Sequence, residues 1–234
     1  MKTHLNPLIC IGAFGLLLPS GMARAQDMEQ SEEGPPTSLT VSLKQDTFFG
    51  FHNINQVGVG VTELLDVTFY AILWTRPAFG ARGGGTDLWT EWGAGVNFGF
   101  LDGDLSINPQ FGVLNGTLLS GSDRGLVLEG IVPNLTVSYF DGLLEGQLYG
   151  GWYIALRDDS ANDFLHYWGT AGFVPISWLS FGVHWEHLVQ TRGAETNDVE
   201  DVYMWLGPYI EAKAGSGFLR FSGGVDQIGR ASCR

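Results

Sequence analysis

His166, His184 and Glu186 are residue types that move protons, and a tight turn near residues 175–177 brings them together. Folding the chain back at that turn sets His166 opposite Glu186 and Trp168 opposite His184, all in one alternation phase. An imidazole held by a carboxylate can act as a general base. The serine that would complete a hydrolase is Ser180, in the same phase. It stands four residues from His184 along one strand, about 13 Å away and beyond hydrogen-bond reach. No catalytic residue is assigned, and the cluster is expected to be a polar structural one, with a binding role second. His184-Trp185-Glu186-His187 holds metal-ligand types, but on a strand His187 points away from the other two. No metal and no cofactor is expected. Asp158, Asp159 and Asp163, and then Glu195, Asp198, Glu200 and Asp201, make two acidic stretches whose spacing fits no defined calcium loop. Gly83-Gly84-Gly85 opens no helix, which argues against a phosphate cradle.

The elements that position these groups read as strands. From Leu88 to Phe100 the residues Leu88, Thr90, Trp92, Ala94, Val96, Phe98 and Phe100 fall on one face. Trp89, Glu91, Gly93, Gly95, Asn97 and Gly99 fall on the other, and period two means a strand. Asp102-Gly103 makes a hairpin turn that sets Phe98 against Ile107, Asn97 against Asn108 and Gly95 against Gln110. Asp141-Gly142 joins 131–140 to 143–156, with Ser138 facing Glu145 and Thr136 facing Gln147. Gly215-Ser216 joins 202–214 to 217–226 and brings Glu211 to Arg220. Further strands are expected at 39–46, 56–61, 66–74 and 178–189. The two glycines of 56–61 make it the weakest of them.

One face of these strands is continuously apolar, and the other is mainly Gly, Ser, Asn, Gln and Tyr with sparse charge. A soluble sandwich would show a charged outer face instead. An apolar face toward lipid and a small polar face toward a lumen is the transmembrane-barrel arrangement, and closure is needed because an open edge in lipid leaves backbone groups unpaired. The expected lumen-lining residues are Glu91, Asn97, Asn108, Gln110, Glu145, Gln147, His166, His184, Glu186, Glu211 and Arg220. Asp226, Lys44 and Lys213 share their phase. Short turns near 102–103, 141–142, 175–177 and 215–216 alternate with longer loops near 76–86, 117–126, 157–163 and 190–200, the rhythm of outer-membrane barrels. Trp74, Trp89, Trp152, Trp168, Trp178 and Trp205 lie near strand ends, where amphipathic rings favour the headgroup level. Trp89, Trp168 and Trp205 face the lumen by phase.

The 234 residues begin with a secretory leader. Lys2 supplies the positive end, Leu8 to Leu18 a short apolar run, and Ala23-Arg24-Ala25 the small-residue cleavage pattern. The expected organisation is leader 1–25, acidic lead-in 26–36, barrel 37–226 and non-strand tail 227–234. Of the two cysteines, Cys10 lies in the leader, so Cys233 has no intramolecular partner in the mature chain. The formal charge is −13, two units more negative once Lys2 and Arg24 leave with the leader, which disfavours a nucleic-acid partner.

Phe48-Phe49-Gly50-Phe51, Asp66-Val67-Thr68-Phe69-Tyr70, Ile131-Val132-Pro133-Asn134-Leu135-Thr136-Val137, Leu165-His166-Tyr167-Trp168 and Trp205-Leu206-Gly207-Pro208-Tyr209 are similar to motifs of small porin-like Gram-negative outer-membrane β-barrels without an assigned function. The resemblance covers most of the mature chain and implies architecture far more than activity. Such barrels usually end on an aromatic residue, whereas this chain ends Arg230-Ala231-Ser232-Cys233-Arg234.

The sequence therefore leads to an all-β, antiparallel, up-and-down transmembrane β-barrel. About eleven strands are counted where twelve are required, so a closing C-terminal strand is expected to be missing. A gap or strained seam is then expected between 39–46 and 217–225. The expected function is a narrow passive channel in the outer membrane. It prefers cations because lumen carboxylates outnumber lumen cations. Outer-membrane lipids surround it, and small solutes or cations are its ligands. The alternative is a non-conducting structural or partner-docking barrel plugged by pairs such as Glu211–Arg220 and Glu186–His166. A lipid hydrolase ranks third.

Overall fold

The computed structural model describes residues 13–17, 35–45, 50–75, 88–120, 124–157, 161–193 and 199–228. Cys10, Phe48, Phe49, Gly83 to Gly85, Asp158, Asp159, Glu195, Asp198, Cys233, most of the leader and lead-in and the tail from 229 onward lie outside the described residues. The strands are β1 (Ala13–Leu17), β2 (Thr37–Gln45), β3 (Phe51–Thr62), β4 (Leu65–Thr75), β5 (Leu88–Phe100), β6 (Leu105–Gly116) and β7 (Leu126–Phe140). They continue with β8 (Leu144–Ala155), β9 (Asp163–Ile176), β10 (Leu179–Arg192), β11 (Glu200–Ala214), β12 (Gly217–Ser222) and β13 (Val225–Asp226).

The chain is all-β. From β2 to β12 each strand pairs antiparallel with its chain neighbour, so the sheet winds up and down and curls on itself. β12 and β13 both pair with β11 and act as two pieces of one strand, interrupted at Gly223-Gly224. The described residues between 37 and 228 thus supply eleven strand positions. The place between β2 and β12, where an open seam is expected from sequence, is bridged by β1. Ala13 there stands opposite Lys44 on one side and Arg220 on the other. β1 falls within the segment that reads as the leader's apolar run.

Alternation governs the faces. Phe69, Trp92, Phe98, Phe111, Leu135, Leu148, Phe181, Val183, Leu206 and Ile210 are exposed on the outer wall. Tyr70, Glu91, Asn108, Asn134, Thr170, Trp205, Tyr209 and Glu211 are buried inside. Inner-face glycines make room for the tyrosines. A Cβ at Gly112 would collide with the Tyr70 hydroxyl, and one at Gly182 would press on the Tyr209 ring; glycine marks such close approaches within a strand.

Turn chemistry sets the register. At 101–104, Asp102 (φ 56°) and Gly103 (φ 98°) take the left-handed conformation of a tight hairpin, and Phe100 pairs with Leu105 as expected. At 141–144 the register differs from expectation by two residues. Ser138 faces Gln147 and Thr136 faces Tyr149, because Asp141 Oδ1 accepts from the Leu143 and Leu144 N–H groups and lengthens the connection. The β9–β10 register also moves by two: Glu186 stands opposite Trp168 and His184 opposite Thr170. The turn there lies at 177–178, between Ile176 and Leu179, rather than at 175–177. Both shifts are even, so every side chain keeps its face. The strand expected at 56–61 extends over Phe51–Thr62, paired on both sides by β2 and β4.

Candidate functional site

The polar interior divides into three levels along the strands. At the short-turn end, Lys213 Nζ lies 2.7 Å from Glu145 Oε2 and 3.4 Å from Glu211 Oε1. Arg220 Nε donates to Glu211 Oε2 over 2.7 Å, and the Tyr209 hydroxyl donates to Glu145 Oε1 over 2.7 Å. Arg220 and Lys213, with Ser138, Phe140, Glu145, Gln147 and Thr170, line a cavity of about 310 Å³. Gln147 Nε2 donates to Ser138 Oγ across the ladder that pairs them.

The middle level holds the proton-moving residues. His166 Nε2 and Glu186 Oε1 are 2.9 Å apart, a diagonal contact that survives the two-residue shift because the partners remain on one face. The Tyr203 hydroxyl donates to the same carboxylate oxygen. His184 Nε2 lies 3.5 Å from Glu186 Oε2, and its ring meets Trp205 edge-on at 4.9 Å and Trp168 at 6.2 Å. Trp168 stacks on Tyr149, and Lys44 Nζ reaches across from β2 to within 5.1 Å of the Trp168 ring. Beside this group the Tyr70 hydroxyl donates to Glu91 Oε1 over 2.6 Å and accepts from Asn134 Nδ2 over 2.8 Å. Thr68 Oγ1 donates to Asn108 Oδ1 and accepts from Gln110 Nε2. Asn97 Nδ2 donates to Asp66 Oδ2 at 3.2 Å. Ser180 pairs in register with Glu211, away from His184. The middle level thus ties its side chains into one hydrogen-bonded group, in which the Tyr203 hydroxyl also lies 3.4 Å from His166 Nε2.

The long-loop end is apolar. Leu119 is fully buried among Trp74, Trp89, Leu114, Val132, Tyr153 and Ala161. Trp74 and Trp89 stack on each other at 5.4 Å inside the barrel, so Trp74 is not a rim residue of the outer wall; Trp152 and Trp178 are exposed there. Glu129 fixes Leu119. Its carboxylate accepts from the N–H groups of Leu118 (3.0 Å), Leu119 (2.9 Å) and Ser120 (2.8 Å) and from Ser120 Oγ. Glu129 falls outside the period-two pattern because Leu128 takes a left-handed φ of 57° and the β6–β7 register slips between Leu114 and Gly116. These two irregularities put an odd-numbered residue of β7 inside. Among the described residues no group of three or more His, Cys, Asp or Glu could hold a metal ion.

Fold and interior together define a β-barrel protein with an apolar outer wall and a charged, hydrogen-bonded inside. The chain belongs to a family of unknown function (DUF6733), which it matches over residues 1–232. No curated protein and no solved structure matches it.

Proposed function

We propose that the protein is an integral β-barrel of a Gram-negative outer membrane, exported by its leader, whose interior is closed by its own side chains. The observation that carries this reading is an inversion between chain neighbours. Glu91 is 1% exposed beside Trp92 at 56%, and Glu211 is 4% exposed beside Ile210 at 51%. A water-soluble barrel would gain by the opposite arrangement, since burying apolar surface is what drives folding in water. Lipid removes that penalty, and the interior then holds the charges. The same burial supports a closed lumen. Were a water-filled passage to run past Glu91, Thr68, Ser180 and Tyr209, water would reach them, yet all four are buried. Cross-lumen contacts such as Lys44 on Trp168 and Asn134 on Tyr70 fill the middle.

A barrel of eleven positions, or twelve while β1 is retained, lies between the eight strands that side chains fill and the 16–18 that leave a wide pore. The cavity beside Glu145 favours a second reading, a narrow cation-preferring passage opened by rearrangement of the middle level. Glu91, Glu145, Glu186, Glu211 and Asp226 would then outweigh Lys44, Lys213 and Arg220. Planar-bilayer recording of the refolded protein separates the two. The closed barrel gives no steady conductance. A cation-selective reversal potential would favour the passage, and recovery of the chain in a water-soluble fraction without detergent would defeat both.

A further inference from the structure

A hydrogen-bonded line of three polar side chains lies on the outer wall where β9, β10 and β11 meet. The Tyr167 hydroxyl lies 2.6 Å from His187 Nδ1, and His187 Nε2 lies 2.9 Å from Asp201 Oδ1. Tyr167 shares its alternation phase with exposed Leu165 and Phe173, and His187 with exposed Phe181 and Val183, so the line faces away from the lumen cluster. Trp185 packs edge-on against Tyr167 at 5.0 Å. The His187 side chain is 11% exposed and that of Asp201 51%. The line is thus packed at its centre and open at its carboxylate end.

The proton positions follow from the partners. A carboxylate can only accept, so His187 Nε2 carries the proton, Nδ1 accepts, and the Tyr167 O–H donates. The remaining lone pair of the Tyr167 oxygen is directed away from the imidazole that draws its proton. This is the order of parts that activates a hydroxyl nucleophile: hydroxyl, base, and a third group that orients the base. Depth on the wall suggests what meets it. His187 is eight residues along β10 from Leu179 at the short-turn end. At about 3.3 Å per residue and a tilt near 45° it stands roughly 19 Å higher, within an apolar band about 25 Å tall. That places the line toward the far rim of the band, where the ester linkages of a lipid meet its headgroup.

We propose that Tyr167, His187 and Asp201 form an acyl-ester hydrolysis site on the outer wall, with a membrane lipid as substrate. The proposal rests on the membrane-spanning reading and is independent of whether the lumen conducts. Tyr167 Oη attacks the ester carbonyl carbon, and its proton passes to His187 Nδ1 as the new O–C bond forms. The tetrahedral carbon then releases the lipid alcohol oxygen, which takes that proton from His187 and leaves an acyl ester on Tyr167. Water attacks this ester, His187 takes the water's proton, and the Tyr167 oxygen regains it as the fatty acid departs. One ester and one water give one acid and one alcohol. Asp201 is a positioning residue that holds His187 in the Nε2–H tautomer.

The test uses the full chain, purified in detergent, in mixed micelles with phosphatidylethanolamine labelled in its acyl chains, alongside flotation of the same protein with phospholipid vesicles. Wild type is expected to release fatty acid, and Tyr167→Phe and His187→Gln to lower the rate by about 100-fold or more. Asp201→Asn is expected to lower it and displace the pH–rate profile, with Asp201→Glu restoring part of both. All variants should keep wild-type heat-modifiable gel mobility. Brief reaction and digestion should yield an acyl adduct on the peptide containing Tyr167. A chain that floats but releases no fatty acid, or release that persists in Tyr167→Phe, overturns the site alone. A chain that does not float removes the membrane reading and the site with it.

Discussion

Glu211 and Arg220 stand directly opposite each other on β11 and β12, and the guanidinium Nε donates to the carboxylate over 2.7 Å inside the barrel. Glu211 also lies 3.4 Å from Lys213 Nζ, so removing it strips a partner from two cations at once. Glu211→Ala is expected to destabilise the folded barrel by about 1.5–3 kcal/mol, the range for hydrogen bonds to charged groups. Glu211→Gln, which keeps an acceptor, should cost less. Urea unfolding in detergent micelles, followed by tryptophan fluorescence, measures both.

Glu129 holds Leu119 in the apolar mouth through three backbone N–H groups and one hydroxyl. Glu129→Ala leaves those donors without their acceptor. In a chain with Cys233→Ser, the thiol of Leu119→Cys should react slowly with a water-soluble maleimide, and at least about tenfold faster when Glu129 is also replaced, equivalent to about 1.4 kcal/mol of lost restraint. Equal labelling rates would show that Glu129 does not hold the segment.

Asp141 acts through the turn it closes. The N–H groups of Leu144 and Leu143 hold its carboxyl below the usual carboxylate range, with the Tyr139 hydroxyl adding to them. A depressed folded pKa means that stability is present above the unfolded value and lost as pH falls through the folded one. Asp141→Ala should therefore lower the Tm at neutral pH and have little effect at pH values where Asp141 is protonated in both states. Thermal scans across an acid series check this, and a pH-independent loss would point to some other role for the residue.

Much of this fold was legible because period-two alternation survives along β4 and β5, and along β10 and β11 up to the bulge at Leu188–Val189. The pairing of Glu211 with Arg220 followed from a two-residue turn at Gly215-Ser216, which leaves little freedom in register. Where Asp141 capped a longer turn, and where the β9–β10 turn lay at 177–178, the register was misread by two while the faces stayed right. Residues beyond an irregularity were not legible. Glu129 lies after a left-handed Leu128, and Asp201 reaches His187 near a bulge at Leu188–Val189 that composition does not announce. Lys44 meets Trp168 across the lumen, which no local pattern encodes.

The leader is expected to be cleaved between Ala25 and Gln26 on export. Without β1 the edges of β2 and β12 lose the backbone partners it provides, and each unpaired group in lipid costs several kcal/mol. Amino-terminal sequencing of the membrane-extracted protein should read from Gln26. A processed chain should also unfold at lower urea than one whose Ala23 and Ala25 are replaced to block cleavage. Recovery of unprocessed protein as the sole membrane form would show instead that Ala13–Leu17 belongs to the working barrel.

If the apolar wall faces lipid, Leu148 lies within the bilayer, being 59% exposed on β8 with its ladder partner Val137 in the same phase. The measurement is the unfolding free energy of Leu148→Arg relative to wild type in phospholipid vesicles. A lipid-facing wall gives a loss of about 2–4 kcal/mol, the cost of an arginine near the bilayer midplane on a barrel's lipid face. A change within about 0.5 kcal/mol, as for an ordinary water-exposed surface position, would contradict it.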